Sequence, residues 1–462
     1  MNKKMLSAPW SSAFANSVDA FIPEIWAQES LMILENNMVL ANLVHRDFED
    51  EIKQYGDVVN TRQVANFTAA RKTDADEVSV QDADATNVAV PLDQHIHTSF
   101  MIKDGEESKG FKSLLVEYLE PAVISIAQAI DEILSYQGYQ FLDNVVGKLG
   151  TTPTKSTVIA AREEMTNNQC PLTGRNLVVT PNVEGSLLDI QDFVNAEKVG
   201  DDGTALREGS LGRKFGFNTF TCQNMPSIAA GSTTVTGAVN LTAGYAVGAT
   251  TIAVDGFSAV IGAGSYFTVA GDMIPQRVTS VVGAATPSSI TFTPGLATAV
   301  VNDAVVTSYT PGAVNLTAGY DAEYAKSIVT DAFTVAPKIG QLVAFGGSTV
   351  EDYYGAMTTP TTTALTLDRP LDTALVNDQA VNIGPAGEYS FAFHRNAIAL
   401  VTRPLATPAA GTGALSYVAS YNGLGIRVTI TYDGAKQGHL VTVDLLAGIK
   451  VLNSDLGCVM LA

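Results

Sequence analysis

Apolar residues early in the chain change period several times, and each change predicts an element. Between Glu24 and Phe48, the residues Ile25, Leu31, Leu34, Met38, Leu43 and Val44 recur at intervals that suit one face of a helix. From Gly56 to Ile102 two strand-favouring stretches, Val58 to Val64 and Val88 to Ile102, flank the acidic run Asp74 to Asp84. That pattern predicts a long hairpin with a charged tip. A lone hairpin has little core of its own, so it is expected to lie against another subunit. Residues 110 to 147 hold the strongest helical pattern, with Val123, Ile126, Ile130, Ile133, Phe141 and Val145 at steps near three and four. Pro121 interrupts it. Proline lacks an N–H and clashes with the preceding turn, so the reading is a kink, or a short helix joined to a long one starting near Pro121. A further helix is expected from Ser156, its N-cap, through Met165, ending before Pro171, with a buried strand at Leu177-Val178-Val179-Thr180.

Further along, Gly237 to Tyr245 reads GAVNLTAGY, and the same nine residues return at Gly312 to Tyr320, 75 positions later. The offset also aligns Val301-Asn302-Asp303 with Val376-Asn377-Asp378, Gly271 with Gly346 and Leu296 with Leu371; Asp255 and Phe257 match Asp331 and Phe333 one residue later. Thr251 to Val254, Tyr266 to Val269 and Ser289 to Phe292 are short β-rich runs between glycine or proline turns, which predicts a small β-barrel or sandwich in each copy. The sequence before Pro226 and after Gly387 differs in texture, so the copies look inserted into a separate fold.

Charge separates the same regions: residues 46 to 120 carry 24 Asp, Glu, Lys and Arg, and the equally long window 237 to 311 carries four. The net charge of -20 disfavours wrapping or scanning of a phosphate backbone. Cys170, Cys222 and Cys458 are odd in number and far apart, which predicts buried, unpaired thiols in a reducing compartment. Met1 to Ala15 imitates a secretory signal, but its apolar stretch is broken by Pro9 and serines where about 7 to 15 continuous apolar residues are needed. No apolar run approaches the roughly 18 residues of a membrane span. The expectation is a soluble chain made in a cytoplasm.

Little in the sequence points to chemistry. His95 and His97 share a strand face, as two metal ligands would, yet no third ligand accompanies them. Asp74-x-Asp76 and Asp82-x-Asp84 lack the glycine and closing glutamate of a calcium loop, and a solvated loop tip explains them. Gly200 to Gly203 reads as a turn, and sequons at Asn66, Asn240 and Asn315 have no meaning outside a secretory pathway. No set resembles a nucleophile, base and orienter, so neither an enzyme nor a cofactor is expected.

Several segments, in order, resemble the major capsid proteins of tailed bacteriophages, the Hong Kong 97 fold, in the coat-protein branch that carries a β-barrel insertion. Ala161 to Met165, Pro171 and Arg175 to Pro181 resemble the family's helix, proline turn, arginine and strand. Leu206 to Arg213 with Gly216-Phe217 and Pro226 resembles its glycine-turn-glycine-aromatic strand, and Phe393 to Leu400 the strand resuming after the insertion. Gly423 to Arg427 and Asp444 to Ile449 look like the terminal strands. The likeness spans about 300 residues outside the repeats. It implies an α+β fold with 1–55 as N-arm, 56–105 as extended loop, 106–150 as spine helix and start of the peripheral domain, and 151–230 as axial domain. Modules at 231–311 and 312–387 would be tandem all-β insertions, with 388–462 returning to the axial and peripheral domains. Two insertions in place of one departs from the family pattern.

By that resemblance the chain would self-assemble in a host cytoplasm into hexamers and pentamers of an icosahedral virion shell enclosing double-stranded DNA. Portal and decoration proteins would be its partners. With no long charged helical prodomain at the start, a separate scaffolding protein is expected. The hairpin would overlap a neighbouring subunit, and Arg62, Arg71 and Lys72 beside Asp74, Asp76 and Glu77 are candidate intersubunit contacts that fix register. An encapsulin-like cargo compartment, or a surface adhesin built on the β modules, are the rival readings.

Overall fold

A computed structural model describes residues 22–46, 58–62, 69, 71–72, 87–104, 118–194, 209, 211–228, 235–257, 261–283, 287–309, 314–321, 326–333, 336–346, 352–357, 360–409, 413–421 and 424–462. The chain divides into two compact units, one gathering residues 1–36, 95–126 and 403–446, the other 37–94, 127–402 and 447–462.

In the first unit, strands Leu415–Tyr421 and Leu424–Asp433 pair antiparallel and continue onto the strand Gly438–Val451. Strand Gln94–Lys103 lies on the far side of Gly438–Val451. Arg427 stands in register with Asp444, which is almost fully buried, and its guanidinium bonds both carboxylate oxygens. Trp26 on the helix Ile22–Asn37 stacks on Phe100, and Phe100 on Tyr118.

The second unit is built on a mixed sheet, in the order Val145–Gly147, Gly457–Leu461, Gly387–His394, Arg175–Val179, Phe217–Thr221 and Arg213–Lys214. Helices Lys155–Asn167 and Pro181–Leu188 cover it, burying Val158, Ala161, Met165, Val183 and Leu187 against Leu177, Val179, Phe217 and Met460. All five residues of Arg175–Val179 are buried, as a central strand requires. The last strand, Gly457–Leu461, pairs with Gly387–His394 in this sheet, a partner that none of the sequence motifs indicated.

Helix Glu120–Gln137 starts one residue before Pro121, where the missing N–H is tolerated, and Val123, Ile126, Ile130 and Ile133 are buried along it. Four expectations need correction. The first helix stops at Asn37 instead of reaching Phe48, because the turn that follows, Leu40–Asn42, is held by the buried Asp131 carboxylate, which accepts from the Val39 N–H (2.8 Å) and the Ala41 N–H (3.2 Å). The stretch Val88 to Ile102 is two strands, Asn87–Pro91 and Gln94–Lys103, broken just after a proline that offers no ladder donor. The helix expected from Ser156 is capped by Thr154, whose N–H donates to Thr157 Oγ1 (3.2 Å), and Thr180 leaves the buried strand to cap Pro181–Leu188.

The chain leaves this sheet at Ser227–Ile228 and returns at Gly387, directly paired with Ile228. Between these points lie two β modules of like topology. Strands Val235–Val239, Thr251–Asp255, Tyr266–Val269, Gln276–Val282, Ser289–Thr293 and Val305–Ser308 close a six-stranded barrel around Val239, Ile252, Phe267, Val278, Ile290 and Val306. Strands Ser327–Val329, Leu342–Phe345, Asp352–Met357, Ala364–Leu367 and Val381–Ile383 repeat five of the six in the same neighbour order. In the position of the sixth, single bridges Asn315↔Ala380 and Leu316↔Thr330 join both edges. The aligned Asp303 and Asp378 both adopt positive φ, at 60° and 63°, and the aligned Leu296 and Leu371 are both buried.

Candidate functional site

The expected hairpin has its root in the structure. Strands Val58–Arg62 and Asn87–Pro91 pair antiparallel in register, Val59 opposite Val90 and Arg62 opposite Asn87. Val59 and Val90 are buried against Ala399 and Val401, with Leu92 and Leu452 at the margin. Gly448 lets the long strand lie under the hairpin, since a Cβ there would collide with the Pro91 carbonyl oxygen. Arg71 and Lys72 are exposed. Asp74, Asp76 and Glu77 lie outside the described residues, as does the Arg62 side chain, and the expected ion pairs fall with them.

The residues just after the hairpin meet the second β module. Lys326 donates to Gln94 Oε1 (2.8 Å), and Gln94 is 2% exposed. Burial pushes the neighbouring Asp93 carboxyl up to about 6, while Lys326 and Arg369 pull it down. Arg369, buried over the Tyr354 ring at 4.4 Å, bonds Asp368 Oδ2 (3.1 Å), the Tyr353 carbonyl (2.8 Å) and Asp372 Oδ2 (3.3 Å). Asp372 in turn accepts from Lys450 (2.9 Å), two residues before Leu452 of the hairpin root. Burial opposes ionisation of Asp372, but Arg369 and Lys450 hold its carboxyl below the usual value. Beside this pair a cleft of about 520 Å³ is lined by Gln140, Asp143, Tyr353 and Asp455.

The modules also sit on the preceding helix and strand. Tyr139 donates to the Gly340 carbonyl (2.6 Å), and the Tyr136 ring fills the space a side chain at Gly355 would need. The first module is held by Lys148 on the Gly271 carbonyl and by the Leu149 N–H on the Met273 carbonyl (3.1 Å). Ser265 and Asn382 join the two modules at 3.4 Å.

Sequence reasoning missed Asp93, Asp131, Lys326, Arg369, Asp372 and Lys450. One signal was available for the second module: residues 312 to 386 carry eleven charged residues against four in 237 to 311. Where the second copy has Asp368-Arg369-Pro370-Leu371-Asp372, the first has Thr293-Pro294-Gly295-Leu296-Ala297.

The histidines lie on one strand as expected, ring centroids 5.9 Å apart, and His95 Nε2 is 3.9 Å from Asp444 Oδ2, a carboxylate already taken by Arg427. Among the described residues no cluster of three or more His, Cys, Asp or Glu could hold a metal, and no helix is long and apolar enough to cross a membrane. Cys170, Cys222 and Cys458 are buried and free; burial pushes the Cys222 thiol up to about 11.

No protein-family model matches the chain, and no curated protein does. Among solved structures, it is similar to a chain from Mycobacterium phage Che8, at 14% identity over 92% of this chain and 90% of that one, with a TM-score of 0.44. It is similar to the capsid structure of the Cyanophage P-SCSP1u, at 11% identity over 88% and 84%, TM-score 0.40. A third is the asymmetric unit of the bacteriophage PhiM1 mature capsid, at 11% identity over 88% and 82%, TM-score 0.39. The last two are phage capsids.

Proposed function

We propose that this chain is the major capsid protein of a tailed bacteriophage, with a Hong Kong 97 fold carrying two tandem β insertions, and that its copies form the hexamers and pentamers of a shell around double-stranded DNA. The observation that carries the reading is the order of parts along one chain. A hairpin rooted at Val58–Arg62 and Asn87–Pro91 precedes the long helix Glu120–Gln137 and a buried strand Arg175–Val179, and the chain then makes a two-module excursion whose ends, Ile228 and Gly387, are paired neighbours. An excursion that closes on itself leaves the host sheet intact, which is what an insertion requires. Under this reading 1–55 is the N-arm, 56–105 the extended loop and 151–230 the core of the axial domain.

Assembly then rests on many modest contacts, because reversible association lets misplaced subunits dissociate while a closed shell is collectively stable. Arg62, Arg71 and Lys72 with Asp74, Asp76 and Glu77 fix register between neighbours, each exposed pair contributing about 0 to 1 kcal/mol. The net charge of -20 suits a wall from which packaged DNA must leave without adhering. Scaffolding, portal and decoration proteins are the partners this role calls for.

Electron microscopy and light scattering of the full chain, expressed alone and with a scaffold candidate from its gene neighbourhood, test the reading. Closed, uniform polyhedra are expected; monomers under both conditions would overturn it. Arg71→Glu with Lys72→Glu should abolish closed shells while the monomer still folds, and normal shells would remove the register role.

A further inference from the structure

We propose that the second β module, and not the first, is a latch that sets the pose of the extended hairpin. The inference rests on the capsid reading only in that the hairpin serves to reach a neighbouring subunit. Among the described residues the hairpin's buried apolar side chains are Val59 and Val90, resting on Ala399 and Val401. A two-stranded ribbon has little core of its own and needs further restraint to hold one direction. The second module supplies it at two points. Lys326 holds Gln94, three residues beyond the end of Asn87–Pro91, and Asp372 holds Lys450, two residues before Leu452, which packs on the cluster at the hairpin root.

The Asp372 grip is itself fixed. Arg369, 3% exposed, ties Asp372 to Asp368, to the Tyr353 carbonyl and to the face of Tyr354 within the module's core. A charge held this way loses little freedom when it forms its outer bond, so its pull is transmitted to the strand it grips. The first module provides an internal comparison. It shares the topology, yet at the aligned positions it carries Thr250 or Thr251 for Lys326, Pro294 for Arg369 and Ala297 for Asp372. Duplication explains the shared barrel; it does not explain charges confined to the copy that meets the hairpin root.

Hydrogen–deuterium exchange on the unassembled full chain tests the latch. In the Lys326→Met and Lys450→Met double variant, peptides covering 58–62 and 87–94 should exchange about tenfold faster, with those covering 342–345 and 381–383 of the module unchanged. The matched Lys148→Met variant, which frees the first module's contact at Gly271, should leave the hairpin peptides at the wild-type rate. Unchanged hairpin exchange in the double variant, or an equal rise in Lys148→Met, would overturn the proposal. If the module's own peptides also lose protection, Lys450→Met alone gives the answer, because Lys450 lies outside the module. Faster hairpin exchange in a chain that never forms particles would leave the latch standing and remove the capsid reading; particles with unchanged exchange would do the reverse.

Discussion

Arg175 is 2% exposed and donates from all three guanidinium nitrogens: Nε to the Pro171 carbonyl (2.8 Å), Nη1 to Thr166 Oγ1 (3.0 Å) and the Arg162 carbonyl (3.3 Å), and Nη2 to the Cys170 carbonyl (2.6 Å). It closes the C-terminal end of Lys155–Asn167 against the strand it begins. Lysine cannot span these acceptors, so Arg175→Lys is expected to destabilise the chain by about 2 to 4 kcal/mol, read from thermal or denaturant unfolding. Asp131 shapes pH dependence. Burial pushes its carboxyl up to about 6, against the backbone N–H bonds that favour the ionised form. The folded state therefore binds a proton between about pH 4 and 6 that the unfolded chain does not, so this group's penalty is full at pH 7 and is relieved as pH falls through 6. Comparing unfolding at pH 7 and pH 5, Asp131→Asn should lose a stabilisation on acidification of about 1.3 kcal/mol that the wild type gains. An identical pH response in the two proteins would refute this role.

At the scale of elements, the two copies of GAVNLTAGY are placed differently. Val305 and Ala380 are equivalent, yet Val305 faces Ala238 while Ala380 faces Asn315, a register two residues out of step. The strands are back in phase at Tyr245↔Val300 and Tyr320↔Leu375, the first copy using its spare residues in a turn with Gly244 at φ 66°. A slip of two preserves the inward and outward alternation, so both placements satisfy the pattern. Leu316 stays in the paired stretch and is fully buried, whereas Leu241 falls in the turn that takes up the spare residues and is 39% exposed. Leu316→Ala should cost about 2 to 5 kcal/mol and Leu241→Ala under about 1, measured as loss of protection in the respective module. Gly448→Ala, by driving a Cβ into the Pro91 carbonyl, should free the hairpin root and speed its exchange without unfolding the central sheet. The strand at Leu177 to Val179 and the long helix from Pro121 were legible because each is buried with an unbroken period. The break at Pro91 and the early end of the first helix were not, since the second depends on a carboxylate 90 residues away.

For the whole molecule, the modules are seated by bonds to Tyr139 and Leu149 and by packing on the Tyr136 ring, so removing them strips cover from an aromatic surface. Replacing residues 232–385 with a short glycine-serine turn joins two ends that are already paired at Ile228 and Gly387. That variant is expected to keep the central sheet, unfold at a lower temperature and bind a hydrophobic dye; shells that still form would make the modules accessory to assembly. The sequence by itself determined what local period and repetition encode: the long helix, the buried strand, the hairpin stretches, and two like β modules set in other material. Only the tertiary structure decided which register each identical nonapeptide takes, that the last strand joins the central sheet, and that charges from three distant segments meet at Asp93, Arg369 and Lys450. Those outcomes depend on which surfaces face one another after folding, and pairing between residues far apart in sequence leaves no periodic trace in either partner.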